Sequence, residues 1–343
     1  MVASPMHSGG RVPVYLEDPP RRHLETPGAP DASAEREHWW PSLADPRKRA
    51  TFASVSADPS LAFGRPHPAL LPYVLQYTGI AAMGDGAGLP SVQRVPPECA
   101  VMLTISLSES PRGSVMGADG TRDLPGAGLA GLHERFYLIE YAARRGSALL
   151  VALTPPGAYA LFGLAMREVA NEHVALGDLL GRRRADRLVD ELVSAPTWDH
   201  RFAVLDRVLT ARASQGREPD GVLLRAWEEL ARCQGQVRIG RLAEELGCSR
   251  RYLEKRFGEQ VGLTPKTVAR MWRFQRATHL LMDPGAPTWR EVSHTCGYTD
   301  QAHLVKDFRL LAGCTPTQLL GLHPHRPDRR RSHFSKTGPD ERR

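Results

Sequence analysis

Two stretches in the last third of the chain place long hydrogen-bonding side chains at the front of a short amphipathic segment. The first reads Ile239-Gly240-Arg241-Leu242-Ala243-Glu244-Glu245-Leu246-Gly247-Cys248-Ser249-Arg250-Arg251-Tyr252-Leu253-Glu254-Lys255-Arg256-Phe257. Ser249 is placed to cap a helix whose Leu253 and Phe257, four residues apart, face inward. Arg250, Arg251, Glu254, Lys255 and Arg256 are then divided among the other faces. Arginine and lysine donate to the guanine acceptors of a major groove, and glutamate accepts from cytosine. Arg251, Glu254 and Lys255, with Arg250 beside them, therefore suit the direct reading of base edges from the first turns of a helix. The second stretch runs from Thr288-Trp289-Arg290-Glu291-Val292 through Cys296-Gly297-Tyr298-Thr299-Asp300-Gln301-Ala302-His303-Leu304-Val305-Lys306-Asp307-Phe308 and repeats the grammar. Thr299 is expected at its cap, Leu304 and Phe308 inward, and Gln301, His303 and Lys306 toward a nucleic acid. A helical hairpin with a solvated charged face is the competing account of either stretch alone, and the repetition weakens it.

These side chains need a scaffold of packed helices. Ile239, Leu242 and Leu246 make an apolar stripe, Ala243 is small enough to admit a second helix, and Gly247 and Gly297 suit the turn between paired helices. Each unit is followed by a matching phrase, Gly262-Leu263-Thr264-Pro265 and Gly313-Cys314-Thr315-Pro316, that starts a new helix with proline at its first position. A helix from Pro265 to Met282 would span roughly 27 Å, with Val268, Trp272, Ala277 and Leu281 available to pack. Such a rod would hold two reading helices about one DNA turn, about 34 Å, apart.

Residues 236 to 320 resemble the DNA-binding domain of the AraC/XylS family of bacterial regulators, most closely through Gly297-Tyr298-Thr299-Asp300-Gln301-Ala302-His303-Leu304 and Thr315-Pro316. The resemblance implies two helix-turn-helix motifs on a connecting helix, both inserted into successive major grooves of double-stranded DNA. It places Arg251, Glu254 and Lys255 of the first motif and Gln301, Ala302 and Lys306 of the second near the duplex. It also implies a second domain that senses a small-molecule effector or forms a homodimer, contact with RNA polymerase, and activation rather than repression. The chain departs from the family pattern at Ser293, where a small alanine is usual, at Trp289, where an aliphatic residue is usual, and at Leu304, where phenylalanine is usual. These departures bear on the packing of the second unit. Ala302 offers only a short apolar contact, to a thymine methyl group for example, so the second motif should read fewer bases than the first.

The rest of the chain fits an α+β multidomain protein with a β-rich N-terminal regulatory domain followed by an all-α double helix-turn-helix domain. The expected divisions are a disordered leader over 1–62, a mixed β/α regulatory or dimerisation domain over 63–213, a linker over 214–221, the DNA-binding domain over 222–321, and a basic flexible tail over 322–343. The leader is crowded with proline and charge, as in Glu17-Asp18-Pro19-Pro20-Arg21-Arg22, and its Trp39-Trp40 pair is a docking spot or a transient local contact. Ala100 to Leu107, Leu138 to Tyr141 and Ala148 to Leu153 read as strands, with turns at Gly84-Asp85-Gly86, Pro111-Arg112-Gly113 and Arg145-Gly146. Pro155-Pro156-Gly157 should end the last strand before a helical segment from Ala158 to Leu164. Helices are expected around Leu176, Leu179, Leu180, Leu188, Leu192 and Val193, and from Trp198 to Ala211 behind an N-cap at Thr197. The phrase Leu153-Thr154-Pro155-Pro156-Gly157-Ala158 resembles an uncharacterised N-terminal domain attached to some AraC/XylS proteins. A β-rich pocket there would suit an effector, and core packing or a dimer surface would account for it equally well.

Lysine and arginine outnumber aspartate and glutamate by 45 to 38 in 343 residues, and by 13 to 8 between Gln236 and Leu320, which favours a polyanionic partner. The tail's Arg329-Arg330-Arg331 and Arg342-Arg343 would add phosphate contacts or remain solvated. Five cysteines without a CxxC pair suggest neither a disulfide framework nor a zinc ribbon, and are expected as reduced thiols in a cytoplasmic protein. No apolar run is long enough for a bilayer, so no membrane partner is expected. No catalytic constellation accompanies Glu98-Cys99, and the spacing of His133, His173 and His200 specifies no metal site. Neither catalysis, metal nor cofactor is expected. A protein-binding adaptor built on helical hairpins is the remaining rival.

Overall fold

The structure, a computed structural model, describes residues 61–81, 92–108, 113–117, 120–141, 146–282 and 287–321. The expected leader lies outside the described residues apart from Leu61 and Ala62, which open the first strand, β1 (Leu61–Gly64). The tail, the tryptophan pair and most of the three expected turns also lie outside them.

Two antiparallel sheets occupy the N-terminal half. The strands following β1 are β2 (Val74–Ile80), β3 (Val92–Val95), β4 (Val101–Ser106), β5 (Gly113–Gly117), β6 (Gly120–Asp123), β7 (Ala127–Ala130), β8 (Tyr137–Tyr141), β9 (Ala148–Leu153) and β10 (His173–Ala175). One sheet has the order β1-β2-β9-β4-β7-β10 and the other β3-β8-β5-β6. In β4 the period of two places Val101, Leu103 and Ile105 in the core and leaves Met102, Thr104 and Ser106 half-buried. Strand β9 sits between β2 and β4, and it is buried without a break from Leu149 to Leu153, as a strand covered on both faces should be.

The helix after β9, α1 (Pro155–Phe162), starts three residues earlier than its apolar run suggests, because Thr154 caps it by accepting from the Gly157 amide at 3.0 Å. Pro155 and Pro156 thus open the helix instead of merely ending the strand, their missing N–H groups costing nothing in a first turn. α2 (Leu176–Leu180), α3 (Arg182–Ser194) and α4 (Trp198–Ala213) follow, the last capped by Thr197 as expected. Leu188 and Leu192 face the core, whereas Val193 is 48% exposed.

Seven further helices are described in the last third: α5 (Gly221–Arg232), α6 (Ile239–Glu245), α7 (Arg250–Gln260), α8 (Pro265–Met282), α9 (Trp289–Thr295), α10 (Gln301–Ala312) and α11 (Pro316–Gly321). Pro265 and Pro316 each stand at the first helical position, and Val268, Trp272, Ala277 and Leu281 of α8 are buried. The stretch expected as a linker, Ser214 to Asp220, is tied down along its length. The Arg217 amide donates to the Ala160 carbonyl at 3.2 Å, and the Asp220 amide donates to Gln260 Oε1 at 2.9 Å.

The buried apolar residues fall into two clusters that divide within α8. The larger runs from Tyr77, Leu103 and Leu153 of the sheet through Leu161, Met166 and Leu205 into Leu253, Phe257, Val261 and Trp272. The smaller holds Phe274, Leu281, Val292, Cys296, Leu304, Phe308, Leu311 and Leu319. The first helical unit therefore shares one core with the strand-rich half, and the second unit has its own.

Candidate nucleic-acid interface

In the first unit, α6 and α7 are joined by Leu246-Gly247-Cys248-Ser249. Gly247 takes φ +67°, which a side chain would disfavour. Ser249 Oγ accepts from the Tyr252 amide at 3.1 Å and so starts α7 where the sequence places it. Leu253 and Phe257 are fully buried. Arg250, Arg251, Glu254 and Lys255 are exposed on the outer side. Arg250 Nε donates to Glu254 Oε1 at 2.9 Å, one turn on. An exposed pair of this kind contributes little stability and is readily exchanged for other partners. Arg251 and Lys255, also one turn apart, make no hydrogen bond or ion pair among the described residues.

The inner side of α7 is fixed by a polar network that the sequence did not reveal. Asp220 caps α5 by accepting from the amides of Val222 and Leu223, both at 3.0 Å. It also accepts from the Tyr252 hydroxyl at 2.6 Å and lies 3.5 Å from Arg256 Nε. Burial alone would raise the Asp220 carboxyl, but the bond from Tyr252 and those from the amides hold it below its usual range. Arg256 is thereby committed to the scaffold, together with Glu259 at 3.0 Å.

The second unit opens on a capping box, in which Thr288 Oγ1 accepts from the Glu291 amide at 3.3 Å and Glu291 Oε2 accepts from the Thr288 amide at 2.7 Å. Gly297, with φ +71°, makes the turn. The cap of α10 is Asp300 rather than Thr299, since Asp300 Oδ1 accepts from the His303 amide at 2.7 Å. A carboxylate at this position satisfies the free amides and also meets the positive end of the helix dipole. One residue more separates glycine from cap than in the first unit. With Asp300 as cap the two outer helices superimpose in sequence: Ser249 with Asp300, Arg250 with Gln301, Arg251 with Ala302, Leu253 with Leu304, Lys255 with Lys306 and Phe257 with Phe308. The distance from cap to inward leucine was the available signal.

Gln301, Ala302 and Lys306 are exposed. His303 is half-buried, with its ring edge-on to Tyr298 at 5.2 Å. The three departures from the family pattern are accommodated. Ser293 is buried with its hydroxyl donating to the Trp289 carbonyl at 2.8 Å, Trp289 packs on the smaller core, and Leu304 lies within it. Behind α10, Asp307 is 5% exposed, and burial pushes its carboxyl above the usual range against the opposing charges of Arg270, His303, Arg273 and Lys306.

Elsewhere, His133 and His173 come together with ring centres 5.0 Å apart, both in contact with Tyr137, whereas the His200 ring pairs with Thr197 Oγ1 at 2.7 Å. Burial lowers His133 to about 3, helped by the charge of His173, and lowers His173 to about 4. Among the described residues no group of three or more histidine, cysteine, aspartate or glutamate side chains is arranged to hold a metal. The Cys99 thiol is buried, and burial and the Glu98 charge push it well above its usual range, the opposite of an activated nucleophile. A cleft of about 690 Å³ opens between the ends of β4 and β7 and helices α2 and α3, lined by Ser106, Asp123, Asp178, Arg182 and Asp186 among others. Among the described residues no helix is long and apolar enough to cross a membrane.

Residues 242–321, which run from within α6 to the end of α11, match the helix-turn-helix domain family. They form an AraC-type helix-turn-helix domain. Such a domain binds DNA in transcription regulators, and in this chain the AraC-type domain follows residues 64–175, which match a domain of unknown function (DUF6597). Comparison with curated proteins found no match. Among solved structures, the chain is similar to unsaturated-fatty-acid-bound ToxT from Vibrio cholerae strain SCE256, at 10% identity over 70% of this chain and 96% of that one, with a TM-score of 0.42. A probable AraC family transcriptional regulator from Rhodopseudomonas palustris CGA009 is 27% identical over 32% of this chain and 100% of that one, with a TM-score of 0.28. The xylose-binding transcription activator xylR is 24% identical over 33% of this chain and 30% of that one, also with a TM-score of 0.28. The matched residues 242–321 include α7 and α10.

Proposed function

We propose that this chain is a sequence-specific transcription regulator that inserts α7 and α10 into successive major grooves of duplex DNA. The observation that carries the reading is the alignment of the two helices from cap to inward phenylalanine, with Arg250, Arg251, Glu254 and Lys255 exposed on one and Gln301, Ala302 and Lys306 on the other. Arg251 and Lys255 are the principal base or phosphate contacts of the first motif, and Lys306 that of the second. Ala302 in place of an arginine makes the second motif the weaker reader. Residues 63–213 regulate or dimerise the DNA-binding domain over 222–321, and the cleft beside α3 has room for a small-molecule effector.

The test is selection of bound duplexes from a randomised library by the full-length protein, followed by sequencing. Two short enriched blocks about one helical turn apart are expected. Arg251→Ala should relax discrimination in the first block by about 10- to 100-fold, the equivalent of about 1–3 kcal/mol for one bidentate base contact. Lys306→Ala should weaken the second block alone. Raising salt should weaken binding to all duplexes, as counterion release requires. Absence of any enriched sequence from folded protein would favour the adaptor.

A further inference from the structure

The second unit, with its separate core, meets the strand-rich half at a point far from it in sequence. Arg94 of β3 donates from Nη1 to the carbonyl of Ala312, the last residue of α10, at 3.1 Å. Its guanidinium carbon stands 4.6 Å from the centre of the Phe136 ring. Phe136 immediately precedes β8, the strand paired with β3, in which Leu138 lies opposite Arg94. Arg94 thus sits on the edge strand of the four-stranded sheet and Phe136 at the entry to the strand beside it.

The physical logic of the contact is specific to a helix end. The carbonyls of a last turn have no acceptor role left inside the helix, and a cation there also meets the negative end of the helix dipole. The planar guanidinium stacks on the aromatic face while its N–H is aimed at the carbonyl, a combination that lysine does not reproduce. Gly313 makes room for it. Its φ of +69° ends α10, and a Cβ there would stand 2.2 Å from Phe136 Cε1 and 2.5 Å from Arg94 Nη1. At the other end of the unit, Gln236 Nε2 donates to the Thr295 carbonyl at 3.0 Å, which ties α9 to the segment leading into the first unit.

We propose that Arg94 and Phe136 are positioning residues for DNA reading. They clamp the C-terminal end of α10 to the four-stranded sheet and so set the angle and separation of the second reading helix relative to the first, which is built into the larger core. The inference rests on the two-helix reading of DNA above. It assigns the spacing between the two DNA blocks to the strand-rich half as well as to α8.

The experiment measures affinity of the full-length protein for duplexes carrying both selected blocks at their preferred separation, with one base pair inserted, with one deleted, and with the first block alone. One base pair moves the second block by about 3.4 Å and turns it by about 35° around the duplex. The unaltered protein should lose at least about tenfold in affinity on insertion or deletion, whereas Arg94→Ala should lose no more than about threefold, with its affinity at the preferred separation already reduced about tenfold. Affinity for the first block alone should be unchanged in both. Arg94→Lys, which keeps the charge without the stacked plane, and Phe136→Leu should both fall between. They also carry the test if Arg94→Ala fails to fold. The wild-type spacing penalty in all three variants would overturn the latch and leave the two-helix reading standing. An unaltered protein with no preference for paired blocks would overturn the two-helix reading, and the latch with it.

Discussion

Phe308→Ala is expected to unfold the second unit while the first unit and the sheets keep their structure. Phe308 is fully buried, and its ring stands edge-on to Phe274 at 4.8 Å in the smaller core. Truncating a buried phenylalanine costs roughly 3–5 kcal/mol through lost transfer energy and the cavity left behind. Among the described residues the smaller core is a cluster separate from the larger one, so the loss should be local. Amide hydrogen exchange across residues 287–321 should become fast, with protection retained in α7 and β9. Phe257→Ala is the matched comparison, because Phe257 occupies the corresponding position in the larger core. It should weaken protection in the sheet as well as in α7. A uniform loss of protection in Phe308→Ala would show that the two cores unfold as one.

The second large effect concerns acid. His133 and His173 are held neutral in the fold, at about 3 and about 4, by burial. An unfolded chain takes up protons on both near pH 6.5, while the folded chain does not, so stability rises with pH between those limits. The contribution is complete above about pH 6.5 and is lost as pH falls toward 4 for His173 and toward 3 for His133. Between pH 7 and pH 5 each histidine should remove about 2 kcal/mol, since both folded values lie below that window. Denaturant titrations at the two pH values should show the loss, and His133→Phe combined with His173→Phe should abolish most of it. An unchanged difference in the double variant would assign the acid sensitivity to other groups.

The helical third of the chain is legible because its information is local. Caps, turn glycines, helix-opening prolines and inward leucine–phenylalanine pairs all lie within a few residues of one another, so α6 through α11 emerge close to their observed limits. The single displaced cap, Asp300 for Thr299, arises where two adjacent residues have equally suitable side chains and the turn is one residue longer. The start of α1 was obscured in a different way, because two prolines read as a break when Thr154 turns them into a beginning. The strands β4, β8 and β9 follow from apolar runs, but nothing in those runs states that β2 and β4 flank β9 or that His133 meets His173. Arg94 is the extreme case. Its hydrogen bond to Ala312 joins residues 218 positions apart, and an arginine in a short strand carries no local mark of the helix end it will meet.

The shared larger core also decides where the molecule can be cut. A fragment beginning at Gly221 would retain every residue of α7 and α10, yet it would separate Val261 and Leu263 from Met166 and the sheet residues of the same core. It would also lose Asp220, whose side chain holds Tyr252 and Arg256. The boundary expected over 214–221 therefore cuts through one continuous core, and moving the helical third onto another protein would carry part of the strand-rich half with it.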